Sequence, residues 1–112
     1  MLFKLFHTES QGYQDLTPDE VNERLRSGDK VTLIDVRSAR EYASGHLPKA
    51  KLVPLGELRD RHTEIHPDRD VIVYCHSSAR SRRAASMLVK LGHGNVFNMS
   101  RGIQAWQGQI AH

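Results

Sequence analysis

Two short runs, Val31-Thr32-Leu33-Ile34-Asp35-Val36 and Val71-Ile72-Val73-Tyr74, are apolar or β-branched at nearly every position. A strand with one face in water alternates apolar and polar side chains, whereas a strand buried on both faces does not. Segments with helix signals lie between and around these runs. Thr17-Pro18-Asp19-Glu20 places a capping hydroxyl, a proline at the first helical position and a glutamate that closes a capping box, with Leu16 and Val21 at staple spacing. That helix runs through Leu25 and stops near Gly28. Ser38 and Glu41 form a second capping box, opening a short helix through Ala43, and Gly45-His46-Leu47-Pro48 is a turn. Strands that alternate with helices imply an α/β fold with a mainly parallel central sheet, flanked by helices, in which ligands bind beyond the carboxyl ends of the strands.

The remaining elements follow the same rules. Lys51-Leu52-Val53 reads as a short strand, and Pro54 opens a helix with Leu55, Leu58, His62 and Ile65 on one stripe. Arg82 to Leu91 has helical spacing through Ala84, Ala85, Leu88 and Leu91, followed by a turn at Gly92-His93-Gly94-Asn95 and a strand at Val96-Phe97. A last helix is expected over Gly102 to Ile110, with Ile103, Trp106 and Ile110 inward. At 112 residues the chain suits one domain, read as residues 11–112 after a loosely docked lead at 1–10, with a short edge strand near Tyr13.

Cys75 is the single cysteine, so no internal disulfide and no internal resolving thiol exists. It stands where the Val71–Tyr74 strand meets a small polar loop and a helix. That junction would surround the sulfur with backbone N–H groups, which favour negative charge and raise the thiolate fraction, the reactive form. Asp35 is out of place in a buried strand. It occupies a comparable strand end, so Asp35 and Cys75 are expected to be neighbours, with Asp35 bracing the loop. Arg37 and Glu41, four apart, are expected to pair, and His46 to hydrogen-bond within its turn. His62 and His66 have metal-site spacing but no third ligand, so no metal is expected. The formal charge of +3 suits small anions, and no like-charge block or aromatic-interleaved basic run points to nucleic acid. No apolar run reaches membrane-spanning length and the amino-terminal residues lack a signal-peptide core, so a cytoplasmic setting with no membrane contact is expected.

Three blocks carry a resemblance. They are Leu33-Ile34-Asp35-Val36-Arg37 with Glu41-Tyr42 and Gly45-His46-Leu47-Pro48-Lys49-Ala50; the loop Cys75 to Arg80; and Leu91-Gly92, Asn95-Val96 and Gly102-Ile103 with Trp106. In order and spacing the chain resembles single-domain members of the rhodanese (sulfurtransferase) family over residues 15 to 108. The resemblance implies a rhodanese-like domain, a sheet of about five strands with helices on both faces, and double displacement at Cys75. The thiolate would take the outer sulfur of thiosulfate or another sulfane donor, a protein persulfide included, and pass it to cyanide or a thiol. Arg80, His76, Ser77, Ser78, Ala79 and Ser81 would form the binding loop, Asp35 and Arg37 would support it, and no cofactor would be needed.

Two positions depart from the family pattern. Ser78 stands where the loop usually carries glycine, and Arg101 replaces the first glycine of the closing pair. If the Ser78 position needs positive φ, serine strains it. Arginine falls at C-x4-R, one residue short of the C-x5-R loop that cysteine-based phosphatases use for a tetrahedral oxyanion. Besides the enzyme, the residues leave open a persulfide carrier in a sulfur relay and a non-catalytic binding module.

Overall fold

The computed structural model describes residues 12–112, so the expected lead at 1–10 lies outside the described residues. Five strands, β1 (Gln14–Leu16), β2 (Val31–Asp35), β3 (Lys51–Leu52), β4 (Asp70–Tyr74) and β5 (Val96–Met99), form one sheet in the order β1-β5-β4-β2-β3. Every pairing is parallel. The helices are α1 (Pro18–Arg26), α2 (Ala39–Ala43), α3 (Leu58–Arg61) and α4 (Ala79–Lys90), with single 3-10 turns at Leu55–Glu57, His62–Glu64 and Ile103–Ala105.

Side chains of the central strands divide between two cores. Val71, Val73 and Cys75 pack with Ile34, Val36, Val53, Leu58, Ile65, Ala84, Ala85 and Leu88 on one face. Ile72 and Tyr74 pack with Val21, Leu33, Leu47 and Met99 on the other. Period two along a strand that is covered on both sides explains why the sequence of β4 shows no alternation.

Handedness then fixes which helix lies where. The chain leaves β2 toward β3 at one edge, and leaves β4 toward β5 in the opposite direction. Right-handed crossovers in opposite directions must use opposite faces. Accordingly α4 covers the first core, whereas α1 and the Tyr42 side chain of α2 belong to the second. The loops after β2 and β4 therefore diverge, and the gap between them is the topological switch point where parallel sheets bind ligands.

Both capping boxes form as the sequence predicts. The Thr17 hydroxyl accepts from the Glu20 N–H at 3.1 Å and the Glu20 carboxylate accepts from the Thr17 N–H at 2.8 Å. Ser38 and Glu41 do the same at 3.2 and 3.0 Å.

Three expectations are corrected. The α4 helix begins at Ala79, not Arg82, so Arg80 and Ser81 belong to its first turn. The continuous helix expected after Pro54 is a short α-helical turn between two 3-10 turns. The helix expected over Gly102 to Ile110 reduces to Ile103–Ala105, and Ile110 is 42% exposed. Its region instead runs on to an antiparallel bridge between His46 and Ala111. Among the described residues no helix is long and apolar enough to cross a membrane.

Candidate active site

Only three residues, His76 to Ser78, separate the end of β4 and Cys75 from α4. Such a tight turn aims the free amides of the helix start back at the strand end. The Cys75 Sγ accepts the Ser78 N–H at 3.1 Å and the Ser81 N–H at 3.3 Å, and lies 3.4 Å from the Ser81 Oγ. The Ser81 hydroxyl donates to the Ser78 carbonyl at 3.1 Å, and the Arg82 N–H donates to the same carbonyl at 2.9 Å. As a thiol, Cys75 donates to the Ser81 oxygen. As a thiolate it can only accept, so the Ser81 hydroxyl proton has reason to turn from the carbonyl to the sulfur.

These contacts act against burial. Cys75 is 1% exposed, and desolvation, the largest single influence, pushes its thiol pKa up. The Ser81 hydroxyl and the amides of Ser81, Ser78 and Ser77 together outweigh it, and the thiol sits below its ordinary value. The site therefore stabilises negative charge on a sulfur that water hardly reaches, where hydrogen bonds are strong.

Ser78 does adopt a left-handed conformation, at φ +128°. For a residue with a Cβ this stores about 1–3 kcal/mol of strain. Its hydroxyl accepts from the Asn98 Nδ2 at 3.2 Å, and that amide also donates to the Asp15 Oδ1 at 3.0 Å. Asn98 is fully buried, and its Oδ1 has no hydrogen-bond partner among the described residues. Arg101 is also left-handed, at φ +67°, as the glycine usual there would be. The next residue, Gly102 at φ +66°, presses against the His76 carbonyl so closely that no side chain fits. This approach lets Ile103 N–H donate to the Cys75 carbonyl at 2.9 Å and Gln104 N–H to the His76 carbonyl at 3.2 Å, fixing the loop from below.

The charged residues sort differently from the sequence expectation. Arg37 does not pair with Glu41. It folds back on Asp35, with its Nη2 at 2.7 Å and its own N–H at 2.9 Å from the carboxylate, and Nη2 also donates to the Gly45 carbonyl at 2.7 Å. Arg37 precedes the Ser38 cap of α2, so it lacks the helical geometry of an i,i+4 pair. A buried Asp35 left unpaired would also cost far more than a half-buried Glu41. The Tyr74 hydroxyl donates to Asp35 at 2.7 Å and accepts from the Leu47 N–H at 3.0 Å. Burial first, and the hydrogen bond to Asp35 next, push the Tyr74 pKa far up. Asp35 and Cys75 share an end of the sheet but face opposite cores, so this network braces the backbone and does not touch the sulfur.

Glu41 pairs with Arg80 instead, at 2.7 and 2.9 Å in a two-pronged bridge across the switch-point gap. The Arg80 guanidinium, with help from Ser38, pulls the Glu41 pKa down to about 2. The predicted loop residues thus fall into three places. Ser78 and Ser81 touch the sulfur, while His76, Ser77 and Ala79 form an exposed rim from which the Ser77 amide also favours the thiolate. Arg80 is tied away to α2. Asn98, Tyr74 and the Glu41 partnership were not anticipated. Asn98 had the same signal as Asp35, a polar residue inside a buried strand.

The His46 ring bonds outside its 45–48 turn, back to α2: Nδ1 lies 2.9 Å from the Tyr42 carbonyl, and the ring stacks on that of Tyr42. His62 meets His93 at 3.0 Å, not His66. Among the described residues no group of three or more histidine, cysteine or acidic side chains could hold a metal.

A family model for the rhodanese-like domain matches residues 17–109. The chain belongs to the rhodanese-like domain family. A sulfurtransferase of Allochromatium vinosum is 38% identical to this rhodanese-like domain over 92 residues, covering 82% of this chain and 86% of that protein. The protein YqhL of Bacillus subtilis is 42% identical over 79% of this chain and 71% of its own length. Among solved structures, a rhodanese-like domain protein of Staphylococcus aureus superposes with a TM-score of 0.79 at 27% identity, covering 86% of this chain and 93% of that one.

Proposed function

We propose that this rhodanese-like domain is a sulfurtransferase that carries sulfane sulfur as a persulfide on Cys75. The observation that carries the reading is the sulfur seated among the Ser78 and Ser81 amides at the start of α4, with its thiol pKa lowered. The sulfurtransferase name of the Allochromatium vinosum relative supports the same class.

In the first half-reaction the Cys75 thiolate attacks the outer sulfur of thiosulfate. An Sγ–S bond forms, the S–S bond of the donor breaks with its electron pair, and sulfite leaves. The persulfide carries the negative charge that the thiolate brought, so the amides that held the thiolate are placed for the product. In the second half-reaction cyanide or a thiolate attacks the outer persulfide sulfur. Thiocyanate or a new persulfide departs and the Cys75 thiolate returns, so charge and sulfur balance with no cofactor. Because Cys75 is 1% exposed, the donor must present a slim terminal sulfur past the rim of His76, Ser77 and Ala79.

Arg80 acts here as a brace. Its charge is matched by Glu41, so the amides supply most of the stabilisation of negative charge on sulfur. Steady-state thiocyanate formation from thiosulfate and cyanide tests the assignment. Parallel double-reciprocal lines, the kinetic mark of a double displacement, are expected, with no turnover in Cys75→Ser. Turnover that survives the substitution would exclude Cys75 as the carrier. Transfer from a persulfidated protein but not from thiosulfate would favour a relay role over the small-molecule enzyme.

A further inference from the structure

Ser78 is the N-cap residue of α4, where a serine hydroxyl ordinarily accepts an N–H of the first turn, yet its side chain caps nothing. The hydroxyl is turned inward onto the Asn98 Nδ2 at 3.2 Å. Asn98 sits in β5, the strand between β1 and β4, and its side chain is fully buried. The same Nδ2 reaches the Asp15 Oδ1 on β1 at 3.0 Å, while the amide oxygen is unmatched among the described residues. A buried asparagine with one polar atom unsatisfied is poorly suited to a strand interior on packing or propensity grounds. What it does supply is a fixed donor between two oxygens.

The Ser78 end of that tether bears on Cys75. Ser78 gives its N–H to the sulfur at 3.1 Å, and its carbonyl accepts from the Ser81 hydroxyl and the Arg82 N–H. Rotation about the Ser78 N–Cα bond from +128° toward negative φ would separate these two peptide orientations, so the sulfur contact and the helix start could not both survive. A glycine takes such a conformation unaided, whereas a serine must be held there. We propose that Asn98, anchored by Asp15, is a positioning residue for Cys75: it holds Ser78 left-handed through its hydroxyl and so keeps the Ser78 amide on the sulfur. The inference deepens the reading of Cys75 as the nucleophile and rests on it.

The test is the pH profile of alkylation of the single cysteine by iodoacetamide, which reads thiolate and needs no sulfur transfer. Asn98→Ala should move the profile to higher pH by about half to one unit, giving roughly three- to tenfold slower alkylation below the thiol pKa. Ser78→Gly placed in the Asn98→Ala background should restore most of the loss, a rescue that a merely structural role would not give. Asp15→Ala, at an exposed position, should shift the profile in the same direction by about twofold in rate and keeps the test open if Asn98→Ala does not fold. Its direction is informative, because deleting a negative charge alone would favour the thiolate. Profiles of Asn98→Ala and Asp15→Ala that superimpose on the wild type would overturn the proposal. So would an Asn98→Ala shift of equal size with and without Ser78→Gly. A wild type that alkylates as described but takes up no sulfur would instead count against sulfur transfer and leave the positioning role standing.

Discussion

Asp35 and Arg37 show how a polar pair earns a place in the core. Asp35 is fully buried, and every nearby donor converges on it: the Arg37 side chain and amide and the Tyr74 hydroxyl. Removing one partner strands a buried charge, so Arg37→Ala should lower unfolding free energy by about 3–5 kcal/mol in denaturant titration. A loss under about 1 kcal/mol would mean the pair is not the brace described here. Glu41 poses the opposite question, because it cancels the charge of Arg80 at the loop. Glu41→Gln keeps a residue able to close the α2 capping box but removes the counter-charge. It is expected to lower the KM for thiosulfate several-fold while giving up the stability that the bridge contributes, and an unchanged or higher KM would show that Arg80 does not sense the donor. At this scale Cys75 stood out as a candidate not as a lone thiol in a buried strand, which is ordinarily inert, but because a polar loop carrying an arginine and a helix start follow it. The partner of Arg37 was not legible, since spacing alone offered Glu41 and only burial decides for Asp35.

Elements are held to one another by a few cross-links. Tyr74 ties β4 to β2 through Asp35 and to the 45–48 turn through Leu47. Tyr74→Phe leaves the Leu47 N–H and one Asp35 lone pair without a partner, and should destabilise by about 1–3 kcal/mol with the same denaturant slope. On the other face His62 and His93 join the segment after α3 to the loop after α4. Burial first, and the neighbouring His62 next, depress the His93 pKa below its ordinary value of 6.5. The unfolded chain then binds the proton more readily than the native one. The stability linked to His93 is full above about pH 7 and is lost as pH falls through 6.5 and on through the depressed native value. Denaturation midpoints between pH 7.5 and 5 should fall less steeply in His93→Gln than in the wild type; equal slopes would remove the histidine pair from the account. Caps and buried strands were readable because their signals are local. The carboxyl-terminal helix was not: its helical spacing was real, but Gly102 at φ +66° and the hydrogen bonds of Ile103 and Gln104 to the Cys75 loop take the segment for another purpose.

Across the whole molecule, opposite crossover directions after β2 and β4 open one gap at the carboxyl end of the sheet. The Cys75 loop stands on one side of it and α2 on the other, with Glu41 and Arg80 spanning it. The alternation of elements implied only that Asp35 and Cys75 lie at carboxyl ends of parallel strands, whereas the strand order that opens the gap and the two-faced partition that keeps Asp35 away from the sulfur required the pairing and register of the strands. Acid should weaken the assembly in two stages. The contribution of His93 goes first, then that of Glu41, which is present above about pH 4.5 and fades as pH falls toward its native value of about 2. The central claim is that Cys75 accepts and surrenders one sulfur atom. Intact-protein mass after thiosulfate treatment, with and without later cyanide, measures it directly in the wild type and in Cys75→Ser. The account predicts a gain of one sulfur atom in the wild type only, erased by cyanide as thiocyanate appears. A folded wild type with a titratable thiol and no added mass, from thiosulfate or from a persulfide donor, would contradict it.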